Sequence, residues 1–465
     1  MIVAKFGGAV LDGAPGVLRA CSTICSLPSP QLVVVSAFAK VTNWLEQIAH
    51  RATEDSAEAF RLLQSLLKHY EGIAAQLLPE PAYSAWLNHV IPWASRLDEI
   101  IQGLSIVREL SPRTLDMVVH YGERYSSSIV AAALQLQADV PVIPISALEL
   151  IITDEAHRYA RPHIDLTRER VEALLKEYRG KQVILLTEGY IARATSGQVT
   201  TMGRESSSYT ATLLGELLGA DEVRIYTDVP GVMTADPAIV PGAMTIPSMS
   251  YEMANTLAEL GAKVLHPRTV APVERARIPL VITSFQQGET VIASQQQNPT
   301  TAGTHPVETQ SAETYSVALL PEATVITIET ELANAQLDPF CHALSAEVPL
   351  LWRHHFRRKH TLVTARPIEP TMRLPLELLP ESTRVEVQEA AVVSLVGQHS
   401  IAPSQMESLF GIMAALPVLA LQGGVDSRAF SVAIPRERAS AIVGRLHALI
   451  TGIPQQPLHH EVFVR

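Results

Sequence analysis

Lys5-Phe6-Gly7-Gly8 ends the first β-prone stretch, residues 2–6, with one cation and two glycines. Glycines there free backbone N–H groups to approach phosphate oxygens, and an ammonium can neutralise developing charge. The spacing is not that of a Walker loop, and a plain tight turn would also use Gly-Gly. A lysine inside an apolar strand nevertheless needs an anionic partner. The pattern recurs at Val33-Val34-Val35-Ser36-Ala37, with Thr42-Asn43 opening the next helix; hydroxyls there either cap the helix or donate to a carboxylate. Glu123, in Tyr121-Gly122-Glu123-Arg124, either complements a helix N-terminus or meets a substrate ammonium. Further on, Met202-Gly203-Arg204-Glu205-Ser206-Ser207-Ser208-Tyr209-Thr210 opens a helix, and Tyr226-Thr227-Asp228-Val229-Pro230-Gly231 ends a strand at a turn. α/β proteins build anion and nucleotide sites from such parts, and phosphoryl transfer is the chemistry they fit.

Those residues need a sheet to hold them. Strand-type stretches at 2–6, 31–36, 140–145, 182–187, 222–226 and 279–283 alternate with helical ones at 16–26, from 43 onward, 166–177, 209–218 and 251–260. This is the βαβ rhythm of a mostly parallel open sheet sandwiched by helices. Residues 54–111 are helical nearly throughout, with Phe60, Leu63, Leu66, Leu67 and Tyr70 at three- and four-residue spacing and prolines at 79, 81 and 92. They read as a helical insertion flanking the site. The catalytic domain is expected to span residues 1–290, followed by a linker at 291–312 rich in Gln, Thr, Ser and Pro. Residues 387–465 show the order strand, helix, strand, strand, helix, strand (the last at 461–464), a ferredoxin-like α+β unit. Residues 313–386 open in the same way, with a strand at 324–328 and a helix at 333–344. The cluster Arg353-His354-His355-Phe356-Arg357-Arg358-Lys359-His360, expected as a solvated basic surface, obscures the rest. We read this segment as a degenerate first copy.

Composition narrows the classes. A chain of 465 residues, 47% hydrophobic, supports more than one core. Its net charge of −11, without a long basic run, argues against nucleic acid or an anionic membrane as main partner. Neither a signal-peptide pattern nor about 18 uninterrupted apolar residues is found, so a cytoplasmic protein is expected. Cys21, Cys25 and Cys341 are too few and scattered for a disulfide framework and are expected to be buried and structural.

Together with Tyr251-Glu252, Gly261-Ala262-Lys263-Val264-Leu265-His266-Pro267-Arg268-Thr269 and Ala276-Arg277-Ile278-Pro279, these motifs resemble the aspartate kinases of the amino-acid kinase superfamily in order and spacing over residues 1–290. The resemblance implies the amino-acid kinase fold followed by two ACT units. It also implies transfer of the γ-phosphoryl group of ATP to the β-carboxylate of L-aspartate, the first step toward lysine, threonine and methionine. By motif, Lys5, Gly7 and Gly8 resemble the phosphate-stabilising group, Lys5, Gly8 and Arg204 the catalytic set. Ser36, Ala37, Thr42, Glu123, Arg204, Ser207 and Ser208 resemble aspartate contacts. Thr227, Asp228, Met233 and Lys263 resemble nucleotide contacts. Mg²⁺ is expected to arrive with ATP, because no carboxylate cluster resembles a dedicated metal cage. An amino-acid effector at the ACT units and a homodimer or larger homo-oligomer are also implied. The chain departs from the family pattern at Ala9-Val10, where Thr-Ser is usual, at Ser208, where Asp is usual, and at Met233 and Ala238, often Tyr and Arg. Two other readings stay open: a kinase of this fold with another carboxylate substrate, and a weakly catalytic regulatory subunit.

Overall fold

The computed structural model describes residues 1–28, 31–178, 180–203, 205–286, 288–294, 314–356, 358–369, 372–414, 416–424 and 427–452. Contacts divide the chain into two units, Met1–Gly231 with Arg268–Ser294, and Val232–Pro267 with Gln295–Arg465. Residues 232–267, counted with the first domain by sequence pattern, group with the second unit. The expected linker is described only as far as residue 294, and the expected strand at 461–464 lies outside the described residues.

In the first unit, parallel strands lie side by side in the order Val142–Pro144, Ile184–Glu188, Gln31–Val35, Ile2–Phe6, Glu222–Tyr226 and Leu280–Thr283, with Glu289–Ile292 antiparallel beyond them. Gln31–Val35 and Ile184–Glu188 are buried at every position. Helices cover both faces of such a sheet, so its strands read as apolar runs and do not alternate. The helical insertion is two helices, Ser56–Leu77 and Ala82–Val107; the chain breaks at Pro79 and Pro81, while Pro92 stays inside the second helix. Leu63, Leu66 and Tyr70 are buried, with Phe60 and Leu67 packed at the margin of the same core. Tyr70 stacks on Tyr125 with centroids 4.5 Å apart, which braces the Tyr121–Gln135 helix that carries Glu123. A separate small sheet, Ile152–Thr153, Ile191–Ala194 and Val199–Thr201, has strands too short to stand out in the sequence. Cys21 is buried, whereas Cys25 is exposed on the outer side of the Gly13–Ser26 helix, contrary to expectation.

In the second unit, antiparallel strands run in the order Leu350–Phe356, Lys359–Thr364, Tyr315–Glu329, Arg384–Gly397, Ala429–Ile434 and Ala420–Gln422. The basic cluster is a hairpin. Arg353, His354 and His355 are exposed on the edge strand, where charge discourages another strand from adding, while His360 is buried against the Leu332 carbonyl at 3.2 Å. Helices Pro403–Met413 and Ala439–Thr451 pack with Tyr315, Val317 and Leu395, and helix Asp338–Glu347 packs with Ile326, Ile328 and Leu362. A bulge between Leu320 and Ala323 inserts one residue, so odd positions before it and even positions after it serve helix-covered cores. Cys341 is buried beside Phe340 and Leu344.

Candidate active site

The carboxyl ends of four neighbouring parallel strands line up at one edge of the sheet, and three of them carry sequence-derived site residues. In spatial order the strand ends are Gly189 after Ile184–Glu188, Ser36-Ala37 after Gln31–Val35, Gly7-Gly8 after Ile2–Phe6, and Thr227-Asp228 after Glu222–Tyr226. The turns interlock: Gly7 N–H donates to the Tyr226 carbonyl at 3.1 Å, and Ser36 N–H donates to the Phe6 carbonyl at 3.1 Å. A Cβ on Gly8 would lie 2.6 Å from the Ala37 carbonyl oxygen, and one on Gly7 would lie 3.0 Å from Lys5 Nζ. Only glycine permits this approach at residue 8. Burial pulls the Lys5 ammonium down to about 8, while the carboxylates of Glu205 and Asp228 pull the other way. A cation held cheaply deprotonatable in a carboxylate-lined cleft is stabilised further by any phosphate that reaches it. Thr227 Oγ1 donates to Asp228 Oδ1 at 3.0 Å, and Asp228 is exposed at the strand end.

On the other side of Lys5, Glu123 is buried, and its Oε1 accepts from Ala37 N–H at 3.4 Å. Its Oε2 is buried without a hydrogen-bond partner, as are Ser206 Oγ and Thr187 Oγ1. Burial drives the Glu123 carboxyl up to about 8, only partly opposed by the Ala37 N–H, with Glu188 adding to the rise. Thr42 is half-buried in the first turn of the Val41–Glu54 helix, and Phe38 N–H is held by Ser126 Oγ at 2.9 Å. Ser207 lies buried in the first turn of the Ser206–Leu218 helix, against Gly189, where a Cβ would come within 2.5 Å of Ser207 Cβ. Ser208 follows half-buried, its N–H donating to the Glu205 carbonyl at 3.4 Å. Arg204 lies outside the described residues.

The sequence reading missed a second layer. Asp116 is fully buried and accepts from Thr201 Oγ1 at 2.6 Å, Thr201 N–H at 3.2 Å and Arg158 N–H at 3.0 Å, with His157 Nδ1 at 2.9 Å. It joins the Pro112–Val119 helix to the small sheet and to the loop at 154–163. A lone carboxylate inside Leu115-Asp116-Met117-Val118-Val119 was the available signal, since a buried charge must be paired. Gly189, directly after a buried strand, was the other.

Residues 1–284 match the amino acid kinase family. The chain belongs to that family. It is similar to an aspartokinase of Chlamydia pneumoniae, 35% identical over 61% of this chain and 60% of that protein, so the match spans less than two thirds of the relative. It is also similar to the crystal structure of E. coli aspartokinase III in complex with aspartate and ADP (R-state), with 25% identity, a TM-score of 0.81, and coverage of 97% of this chain and 99% of that one. The same enzyme in complex with lysine and aspartate (T-state) matches with 26% identity and a TM-score of 0.73, over 97% and 99% of the two chains.

The remaining nucleotide-side candidates of this amino acid kinase belong to the second unit. Met233 pairs with Thr245 in an isolated bridge, and its carbonyl accepts from Ser316 Oγ at 2.8 Å. Lys263 is mostly exposed and paired with Asp236 at 2.6 Å; against the upward pull of burial, that contact and the Ala238 N–H hold the carboxyl below its usual range. Ala238 meets Asp236 through its backbone N–H, at 3.0 Å. Among the described residues no group of three or more His, Cys, Asp or Glu could hold a metal ion, and no helix is long and apolar enough to cross a membrane.

Proposed function

We propose that this amino acid kinase is an aspartate kinase, transferring the γ-phosphoryl group of ATP to the β-carboxylate of L-aspartate at the head of lysine, threonine and methionine synthesis. The observation that carries the reading is the strand-end order. Thr227-Asp228 flank Lys5 and Gly8 on one side, and Ala37, Glu123 and Ser207 follow on the other. Similarity to aspartokinases, one of them holding aspartate and ADP, supports aspartate as acceptor and a nucleotide as donor.

A carboxylate attacking phosphorus needs no strong general base, so positioning and charge do most of the catalysis. With the Gly7 N–H engaged by the Tyr226 carbonyl, the turn offers the Gly8 N–H to the transferring phosphate, and Lys5 neutralises charge there as it develops. Glu123, buried with one oxygen unpartnered among the described residues, is proposed to receive the acceptor's ammonium, and Ser207 and Ser36 to donate to its carboxylate. Arg204 is proposed as the planar clamp on that carboxylate. Thr227, Asp228, Met233 and Lys263 serve the nucleotide. Mg²⁺, carried in by the ATP phosphates, would offset charge on the departing oxygens.

The second unit is proposed as two ACT-like units that receive an amino-acid effector and pair two chains, in a cytoplasmic homodimer. The lysine complex of the E. coli enzyme supports the effector class. Sedimentation showing only monomer would refute the pairing. The decisive assay is coupled ADP release with L-aspartate, glutamate and N-acylated aspartates in turn. Turnover with L-aspartate above all others is expected, and preference for an acceptor lacking the free ammonium would overturn the reading.

A further inference from the structure

Six non-glycine residues described in the chain have left-handed backbone, and four of them, Lys40, Arg158, Tyr190 and Glu205, flank the candidate site. Such strain persists where the surrounding structure imposes it and is characteristic of functional positions. Arg158 carries the largest φ of the six, +73°, at a place where glycine would be unstrained. Its backbone N–H is anchored to Asp116, as described above. Its side chain is mostly buried and forked: Nη1 donates to Tyr190 Oη at 3.2 Å, and Nη2 pairs with Glu46 Oε1.

Both partners lead to the acceptor side. Glu46 stands one helical turn after Thr42, so the two share a face of the Val41–Glu54 helix. Tyr190 directly follows Gly189, the glycine against which Ser207 packs, and its N–H is held by Thr210 Oγ1 at 3.1 Å in the Ser207 helix. The loop carrying Arg158 lies against Gly203, where a Cβ would be 3.6 Å from the Arg158 carbonyl oxygen, just before the Ser207 helix begins.

We infer that Arg158 is a positioning residue for the acceptor pocket: its guanidinium clamps the Thr42 helix to the Gly189-Tyr190 turn and thereby sets the separation of Thr42 and Ser207. The chain keeps a strained arginine there because glycine would leave those two walls unlinked. The inference rests on the proposed aspartate kinase reading. Its reach is the acceptor and not the nucleotide, whose residues follow the strand on the far side of Lys5.

The test compares the wild-type chain with Arg158→Gly, Arg158→Lys, Glu46→Gln and the double variant Arg158→Gly/Glu46→Gln, measuring kcat and both KM values by coupled ADP release. Glycine keeps the backbone N–H bonded to Asp116 and removes the clamp, together with the 4.0 Å approach of Arg158 Nη1 to Asp116 Oδ1. The KM for aspartate should rise about tenfold in Arg158→Gly, with kcat and the KM for ATP within about twofold. Arg158→Lys should recover part of the loss, and the double variant should be no worse than the poorer single one. An unchanged KM for aspartate, an equal rise in the KM for ATP, or additive losses in the double variant would each overturn the inference. A wild-type chain without aspartate-dependent ADP release would instead refute the proposed function, and the clamp with it.

Discussion

Replacing Glu123 with glutamine isolates the ionisation of one buried group. The side chain keeps its shape, and Ala37 N–H still finds an oxygen, so packing is preserved while the titration is removed. In the wild-type chain burial raises this carboxyl from 4.5 to about 8. The fold therefore holds it fully stably only below the lower value, and loses stability as pH climbs through the interval up to the higher one. Between pH 5 and pH 9 that linkage amounts to about 4 kcal/mol. The variant lacks it, so the gap between the two urea-denaturation curves should open by about that amount across the range, the wild type falling behind at alkaline pH. The acceptor's ammonium prefers the ionised carboxylate, which is scarce at pH 7 and dominant at pH 9. The wild-type KM for aspartate should therefore fall about tenfold over those two units. In the variant it should be high and nearly flat. Stability curves that stay parallel, or the same pH slope of KM in both proteins, would refute the reasoning.

Three further outcomes are expected. Lys5→Met should lower kcat about 10²- to 10³-fold; in the wild type, the KM for ATP should rise as pH passes about 8, where the Lys5 ammonium deprotonates in the ligand-free chain. Gly8→Ala places a Cβ 2.6 Å from a backbone oxygen, so the two strand ends must separate, and kcat should fall about 10²-fold or more even where circular dichroism shows a folded chain. Asp116→Ala leaves Thr201, His157 and the Arg158 N–H without their shared acceptor and should cost about 3–5 kcal/mol of stability by denaturant titration, whereas a change below about 1 kcal/mol would contradict its buried role.

Gly7, Gly8, Ser36 and Thr227 could be read from the chain because each stands where a run of apolar residues stops, and Lys5 because it interrupts one. Glu123 could be read as one of two alternatives, and its contact with Ala37 N–H, 86 residues away, was not visible locally. Asp116 left only a weak local signal, its place in an apolar run, since its partners come from 41 and 85 residues downstream. Gly189 is demanded by Ser207 on another element, again a long-range requirement. The grouping of residues 232–267 with the second unit has the same origin. Ala235 and Val240 are buried with Tyr315 and Val317, and the Thr234 carbonyl accepts from Val317 N–H at 2.8 Å. The hairpin at residues 350–364 was hidden because its edge strand carries charge where a central strand would carry valine or isoleucine.

The side-by-side order of strand ends also makes the sheet a ruler. Neighbouring strands are about 4.8 Å apart, so the Asp228 strand and the Ser36 strand stand roughly 10 Å from each other with the Lys5 strand between. On the proposed reading donor and acceptor meet over that middle strand, whose hydrogen-bonded pitch sets the gauge. A dicarboxylic acid longer by one methylene, gripped by the same ammonium contact at Glu123, would overshoot the midpoint by about 1.5 Å. Chain length in the acceptor is thus measured by the backbone spacing together with the reach of Glu123.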